Sequence, residues 1–355
     1  MLTTSPDDDS FDLLCRELSA RSDQLDATSA WPGEQLDLAR RHGVLRAFAP
    51  PEWGGLDWSE ADQIRAFLRL SAACLATTFV LTQPLGAARR IVLCDNEPLK
   101  QEVLPRLFAG EAFATVGISH LTTSRRHLAA PSMTAREASG GFVLQGVMPW
   151  VTGGGHAEWI LTGADCPDGR QILALLPTGL PGVVAGPPAR LVGLSATHTG
   201  EVHLDGVELE RRWILAGPAE DVLGQRDSAG TGGLSTSALA VGLADAALGF
   251  LESEATRRDG LGAAAEGLRE EHRALEADLL AAASGSGRCP AEVLRSRANS
   301  LALRAAQGAL TAAKGSGYVV GHPAGRWCRE ALFFLVWSCP RAVMSAMLCE
   351  LAGLD

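Results

Sequence analysis

A chain of 355 residues with 46% hydrophobic and 20% charged side chains is globular, and at that length folding removes about 75% of the unfolded surface from water, enough for two or three packed units. The formal charge of −10 argues against a nucleic-acid-binding surface, which needs clustered Lys and Arg, and leaves room only for local basic patches. Eight cysteines, at 15, 74, 94, 166, 289, 328, 339 and 349, show no Cys-x-x-Cys spacing, so neither a zinc knuckle nor a redox dithiol is signalled, and reduced cytosolic thiols with no metal are expected.

In chain order, the segment from Met1 to Ser10 carries Asp7-Asp8-Asp9 and has neither the basic nor the apolar region of a signal peptide. No run of eighteen apolar residues occurs, so no membrane span and a cytoplasmic location are expected. Residues 11–112 read as helices. Leu13, Leu14 and Leu18 recur at helical spacing, a second helix covers 32–41, and Ser59 is an N-cap for a helix over 60–75. Further helices are expected over 84–94 and 98–108. Near Gly110 the period changes. Segments 113–119, 142–147, 159–163, 172–176 and 200–204 are short, rich in β-formers and separated by Gly, Pro and Asp, as strands are. From Leu234 the pattern is helical again, with a helix from Pro290 to about residue 314 and a last one from Pro323 toward Leu351. The expected fold is α+β: an N-terminal α-helical domain (1–112), a middle β-barrel or sandwich domain (113–217) and a C-terminal helical bundle (218–355). No Gly-x-Gly-x-x-Gly follows a strand, so a Rossmann site is not indicated.

The run Pro149-Trp150-Val151-Thr152-Gly153-Gly154-Gly155-His156-Ala157-Glu158-Trp159 sits at the mouth of the β-rich part. It offers a flat aromatic, a nearby hydroxyl and backbone that can come close, which is what an isoalloxazine ring asks for. The other reading is a buried aromatic beside a strand threonine.

The order helices, β domain, bundle, together with several motifs, resembles the acyl-CoA dehydrogenase family of flavoproteins over almost the whole chain. Ala49-Pro50-Pro51-Glu52-Trp53-Gly54-Gly55 is similar to the family's Val-Pro-Glu-Glu-Tyr-Gly-Gly turn, and Trp150-Val151-Thr152 to its Trp-Ile-Thr. Gly193-Leu194-Ser195 through Leu204-Asp205-Gly206-Val207 resembles its Gly-x-Arg-x-Ser…Phe-x-x-Val stretch. Gly315-Ser316-Gly317-Tyr318, Pro323, Arg326 and Arg329-Glu330-Ala331 follow its Gly-x-Gly-Tyr…Pro…Arg-x-x-Arg-Asp-Ala run. The resemblance implies FAD, with Trp150 packed on the ring, Thr152 bonding near N5, and Ser119 and His120 beside them. It implies that Arg258 reaches the pyrophosphate of a neighbouring subunit, a role suited to a guanidinium fork. A solvated helix-end charge is the alternative for Arg258, and a satisfied half-buried histidine for His120.

The pattern departs from the family where the chemistry sits. The family's catalytic Glu opens a Glu-Gly-Thr triplet, and the matching residues are Ser338-Cys339-Pro340. A serine hydroxyl is far too weak a base unless a histidine activates it. The alternative Glu position falls near Gly232-Gly233, and residues that hold CoA in the family fall on glycines at about Gly230 and Gly233. The family's Thr-Glu-Pro-x-Ala-Gly-Ser-Asp loop appears as His120-Leu121-Thr122-Thr123-Ser124-Arg125-Arg126-His127, where Arg125 and Arg126 either hold a phosphate or form a solvated turn.

Three functions compete. One is an FAD-dependent oxidoreductase acting on an acyl thioester or related small molecule. The second is a reduced-flavin-dependent monooxygenase on the same fold, with His120 and Ser338 lining its site; Trp150…His156-Ala157-x-Trp159 resembles a segment of such enzymes. The third is a catalytically degenerate subunit of a heteromeric acyl-CoA dehydrogenase. A homo-oligomer, dimer or tetramer, or a heteromeric partner is expected.

Overall fold

The computed structural model describes residues 2–122, 131–224, 233–337 and 339–354. Helix α1 (Asp9–Thr28) starts where the Asp8 carboxylate accepts the Phe11 N–H, and it ends at Ser29 in the left-handed region. It is followed by α2 (Gly33–Arg41), the single turn α3 (Val44–Ala47), α4 (Glu60–Ala73), α5 (Leu75–Leu93) and α6 (Glu97–Phe108). Ser59 caps α4 as expected, its side chain accepting from Asp62 N. Helix α5 differs from the expectation: it begins nine residues before Pro84 and runs through it. A proline disfavours a helix interior because it brings no N–H and crowds the preceding turn. Here burial of Leu75, Phe79, Val80, Leu81, Ala87, Ala88 and Ile91 outweighs that local penalty.

Among the described residues eight strands follow: β1 (Ala114–Gly117), β2 (Met133–Ala138), β3 (Gly141–Val151), β4 (Trp159–Asp165), β5 (Gln171–Pro177), β6 (Val183–Ala185), β7 (Gly200–Glu210) and β8 (Ile214–Ala219). A helical turn, α7 (Ser119–Thr122), follows β1. The sheet order is β6-β7-β3-β2-β4-β5-β8, with β1 parallel to β4. The long antiparallel pair β3–β7, running from Gly141 opposite Glu210 to Val151 opposite Gly200 with register shifts between Leu144 and Gly146 and between Met148 and Val151, forms its spine. Strand β2 has the sequence Met-Thr-Ala-Arg-Glu-Ala, whose weak β-formers hide it from pattern reading, although Met133 and Ala135 alternate inward.

The chain then forms α8 (Leu234–Ala255), α9 (Gly262–Ala283) and α10 (Ala291–Ala313). Helix α8 is long and apolar enough to cross a membrane by length and composition, yet 67% of that window is buried inside the protein. The last helix, expected as one run, is broken into α11 (Pro323–Ala331), a 3-10 turn (Leu332–Leu335) and α12 (Arg341–Leu351). Pro340 is the N-cap from which α12 starts, and the residue before a proline avoids helical backbone. The carbonyls freed by the break are met from α10: Arg295 Nη2 donates to Trp337 O at 2.8 Å and Asn299 Nδ2 to Phe334 O at 2.9 Å.

One hydrophobic cluster joins the N-terminal helices α1, α4 and α5 to α8–α12, and a second joins α5 and α6 to the sheet. Ion pairs fix α11 onto α1: Arg326 with Asp23 at 3.0 Å and Arg329 with Asp26 at 2.6 Å. Helix α5 contributes to both clusters, and a cavity opens where it meets the ends of β1 and β3.

Candidate active site: a cavity between the sheet ends and the helices

The ends of β1 and β3 are tied together by the Thr115 hydroxyl, which donates to Thr152 O at 2.6 Å. Strand alternation sends Val151 into the core, where it is 1% exposed, and Trp150 outward, where it is 51% exposed. Thr152 turns inward again. Its Oγ1 lies 2.9 Å from that of Thr199, which lies 2.9 Å from that of Thr197, so three hydroxyls form one chain. Ser119 opens α7 just beyond β1, and its Oγ is buried without a hydrogen-bond partner. A buried hydroxyl left unsatisfied costs about 1–3 kcal/mol unless a ligand meets it.

Trp150, Thr152, Thr197, Thr199 and Ser119 all face one cavity of about 1200 Å³. That exceeds the 300–1,000 Å³ usual for a single small ligand, and is roomy enough for two. Its other walls come from α4, α5, residues 191–194, the start of α8 and the segment 332–337. The half-exposed indole, the orphaned Ser119 hydroxyl and the Thr152 chain fit a flat ring with a hydrogen-bonding edge. Arg329 also lines the cavity, with its charge already met by Asp26.

The sequence-chosen residues are thus split. Trp150, Thr152 and Ser119 converge. His120 does not join them: it is 7% exposed, its Nε2 donates to Gly163 O on β4 at 2.8 Å, and it is not among the described lining residues. Burial pushes its pKa below the ordinary histidine value. The imidazole is therefore buried and held by one bond through Nε2, while its Nδ1 has no hydrogen-bond partner. Arg258 pairs with Glu254 at 2.8 Å and donates to Ala312 O at the end of α10, so within one chain it caps a helix. Ser338, Arg125, Arg126 and the Gly230–Gly232 stretch lie outside the described residues.

Among the described lining residues no histidine occurs, and the two carboxylates, Asp57 and Glu60, are exposed. No buried group there is suited to remove a proton from carbon.

One constellation escaped the sequence. His156 stacks on Trp31 with centroids 4.1 Å apart and planes at 11°. His156 Nε2 lies 2.9 Å from His198 Nδ1, and His198 Nε2 donates to Ser29 O at 3.1 Å. With His198 neutral, its Nδ1 accepts from His156 Nε2–H. This clasp joins the α1–α2 link to the strand-end loops. Leu194 and His198 both take left-handed backbone to build it, which no local pattern announces.

A β domain held between two helical arrays that share one core, with a cavity at their junction, is the architecture of the acyl-CoA dehydrogenase fold. The N-terminal part carries the family signature directly: residues 9–111 match the acyl-CoA dehydrogenase N-terminal domain. Over most of its length the chain is similar to acyl-CoA dehydrogenases. It is 25% identical over 343 residues to an acyl-CoA dehydrogenase of Bacillus subtilis (strain 168), covering 90% of this chain and 89% of that protein. It is 26% identical over 247 residues to the probable acyl-CoA dehydrogenase YngJ of the same organism, covering 67% of this chain and 64% of that protein, slightly under two thirds of its length. The structure of glutaryl-coenzyme A dehydrogenase in complex with glutaryl-CoA superposes with a TM-score of 0.83 at 20% identity, over 98% of this chain and 96% of that one. Dibenzothiophene monooxygenase from Paenibacillus sp. A11-2 superposes with a TM-score of 0.76 at 18% identity, over 97% and 96%.

Proposed function

We propose that the chain is a flavin-dependent oxidoreductase of acyl-CoA dehydrogenase type, holding FAD in the cavity and acting on an acyl thioester or a related small molecule. The observation that carries this reading is the placement of Trp150, Thr152 and the unpartnered Ser119 hydroxyl on one cavity wall. A flavin bound there supplies the two-electron acceptor. The chain's part is to offer Trp150 as a packing face, to meet the polar edge of the ring with Ser119 and Thr152, and to keep water out with Val116, Ile118 and Leu194. Arg258 would reach the pyrophosphate of a neighbour's cofactor by leaving Glu254, within a cytoplasmic dimer, tetramer or heteromer. Domain limits near residues 112 and 217 go with this reading.

A second reading is favoured by one observation: the described lining residues carry no buried carboxylate or imidazole. A reduced-flavin monooxygenase needs no carbon-proton base, and the likeness to dibenzothiophene monooxygenase in fold accords with it.

The visible spectrum of the purified protein separates these readings. Bound oxidised flavin, bleached anaerobically by an acyl thioester, supports the first. Uptake of flavin only when reduced, with oxygen consumed, supports the second. A protein that stays colourless under both conditions and takes flavin only with another subunit overturns both in favour of a degenerate heteromeric partner.

A further inference from the structure

The chain is poor in aromatics, with ten Phe, eight Trp and one Tyr in 355 residues. Seven of those nineteen line the one cavity: Phe48, Phe67, Phe79, Phe108, Trp150, Phe333 and Trp337. Three of them form a corner at the end formed by α5 and the segment 332–337. Phe333 and Trp337 are parallel, 5.1 Å apart at 13°. Phe79 stands edge-on to both, at 4.9 Å and 72° from Phe333 and at 4.7 Å and 83° from Trp337. Phe333 and Trp337 are only partly buried, so ring surface stays open to the cavity.

Two polar side chains of α5 beside this corner are engaged with the backbone of their own helix. Thr82 Oγ1 donates to Phe79 O at 2.6 Å, and Gln83 Nε2 is shared between Phe79 O at 3.3 Å and Thr82 Oγ1 at 3.1 Å. The corner is also held rigidly. Arg295 and Asn299 fasten Trp337 O and Phe334 O from behind, so the two parallel rings have little freedom to collapse into the space. A flexible alkyl chain gains little from such a surface over any other apolar wall. A planar ring gains offset stacking and edge-to-face contact in addition to its buried area.

We propose that this corner is a subsite for a planar aromatic group, and that the substrate of the cavity carries such a ring rather than a straight alkyl chain. The proposal deepens the oxidoreductase reading and rests on it only for the cavity being the substrate site. It holds equally for a ring-bearing thioester and for a free aromatic compound.

The test is equilibrium binding, measured by calorimetry on the purified full-length protein in whatever flavin state it is obtained. The probes are phenylacetyl-pantetheine and octanoyl-pantetheine, matched in acyl carbon number, with indole and octanol as carrier-free counterparts. The expected result is binding of the ring member of at least one pair about tenfold tighter than its linear partner. Phe79→Leu and Trp337→Leu, each leaving an apolar side chain, should cut that preference to about threefold or less. Equal or tighter binding of both linear probes, failure of both ring probes to bind, or a preference untouched by both substitutions overturns the proposal. A flavin spectrum recorded on the same samples keeps the two readings apart: a colourless protein that still prefers rings defeats the cofactor assignment and not the subsite.

Discussion

Arg295 on α10 donates from Nη2 to the main-chain oxygen of Trp337 at 2.8 Å while being only 1% exposed. Its Nε and Nη1 have no hydrogen-bond partner, and its nearest aromatic neighbours are Phe334 and Trp337, each with its centroid 5.9 Å away. Burial pushes its pKa down to about 10, so the group is still charged at neutral pH inside a site that disfavours charge. Two opposed contributions result: the bond to Trp337 O stabilises the break before Pro340, and the desolvated charge destabilises it.

Arg295→Met keeps an unbranched apolar stem, though a shorter one, and removes the charge, and should change the unfolding free energy by no more than about 1 kcal/mol. Arg295→Ala removes the packing as well and leaves a cavity beside an unmet carbonyl, for a loss of about 3 kcal/mol. Urea midpoints at constant m-value decide it. If Met destabilises as much as Ala, the hydrogen bond dominates and the charge is compensated.

The acid limb of stability should bear the mark of His272. This residue, on α9 facing α8, is 5% exposed, and neither ring nitrogen has a hydrogen-bond partner; the nearest carboxylates are Asp245 at 3.9 Å and Glu276 at 3.8 Å. Burial lowers its pKa below the ordinary 6.5, with Asp245 opposing. Because the folded value lies below the unfolded one, the unfolded chain binds the proton first. Stability is therefore fully present above about pH 6.5 and declines as pH falls toward the folded value. His42, His120 and His156 are shifted the same way, each mainly by burial, and add to the decline. Urea midpoints between pH 7.5 and pH 5 should fall for the native chain and fall less steeply for His272→Leu. Parallel slopes in the two proteins would mean that His272 takes up its proton without cost.

How much of this was legible in the sequence depends on the range of the interaction. The helices and most strands follow from period and capping, as at Ser59, because those signals lie within a few residues. Pro84 misled because the burial of α5 is decided by helices and strands far away in sequence. Trp150 and Thr152 stood out because an aromatic, a hydroxyl and a glycine run lie together at the mouth of the β-rich part. The resemblance put His120 beside them together with Ser119, but consecutive residues of a helical turn point in different directions, and its imidazole goes to Gly163. The Trp31–His156–His198 clasp joins three separate segments through left-handed backbone, and the seven cavity aromatics are scattered from Phe48 to Trp337. Neither has a local signature.

Gly153 shows how tightly the clasp is built. Its φ is +63°, and a Cβ there would sit 2.5 Å from the Trp31 ring and 3.0 Å from Phe113. Gly153 N also donates to Thr197 O at 3.1 Å and His198 O at 3.2 Å, so the backbone cannot move away freely. Gly153→Ala should cost about 1–3 kcal/mol through overpacking and left-handed strain. Much of that cost should disappear in a Trp31→Ala background, giving a coupling of about 1 kcal/mol in a double-mutant cycle. Additive effects would show that the loop, and not the stacked indole, is what resists the methyl group.

Ser119→Ala distinguishes a ligand-binding hydroxyl from a merely tolerated one, because its effects on stability and on binding have opposite signs. In the free protein the Ser119 Oγ is buried and unpartnered. Alanine removes that unmet group with little change of volume, and the flavin-free protein should gain about 1 kcal/mol in unfolding free energy. If the hydroxyl meets the polar edge of a flavin, the same substitution removes a hydrogen bond from the complex. The flavin dissociation constant should then rise about five- to tenfold, from the loss of about 1 kcal/mol. Trp150→Ala, which removes a half-exposed face, should weaken flavin binding with little effect on the stability of the free protein, since the indole is 51% exposed. Thermal melts with and without added flavin, run on the native chain and both variants, read the two effects together. A Ser119→Ala protein that is more stable yet binds flavin unchanged would leave the hydroxyl to a different ligand, and the cavity wall would then have to be assigned to the substrate rather than the cofactor.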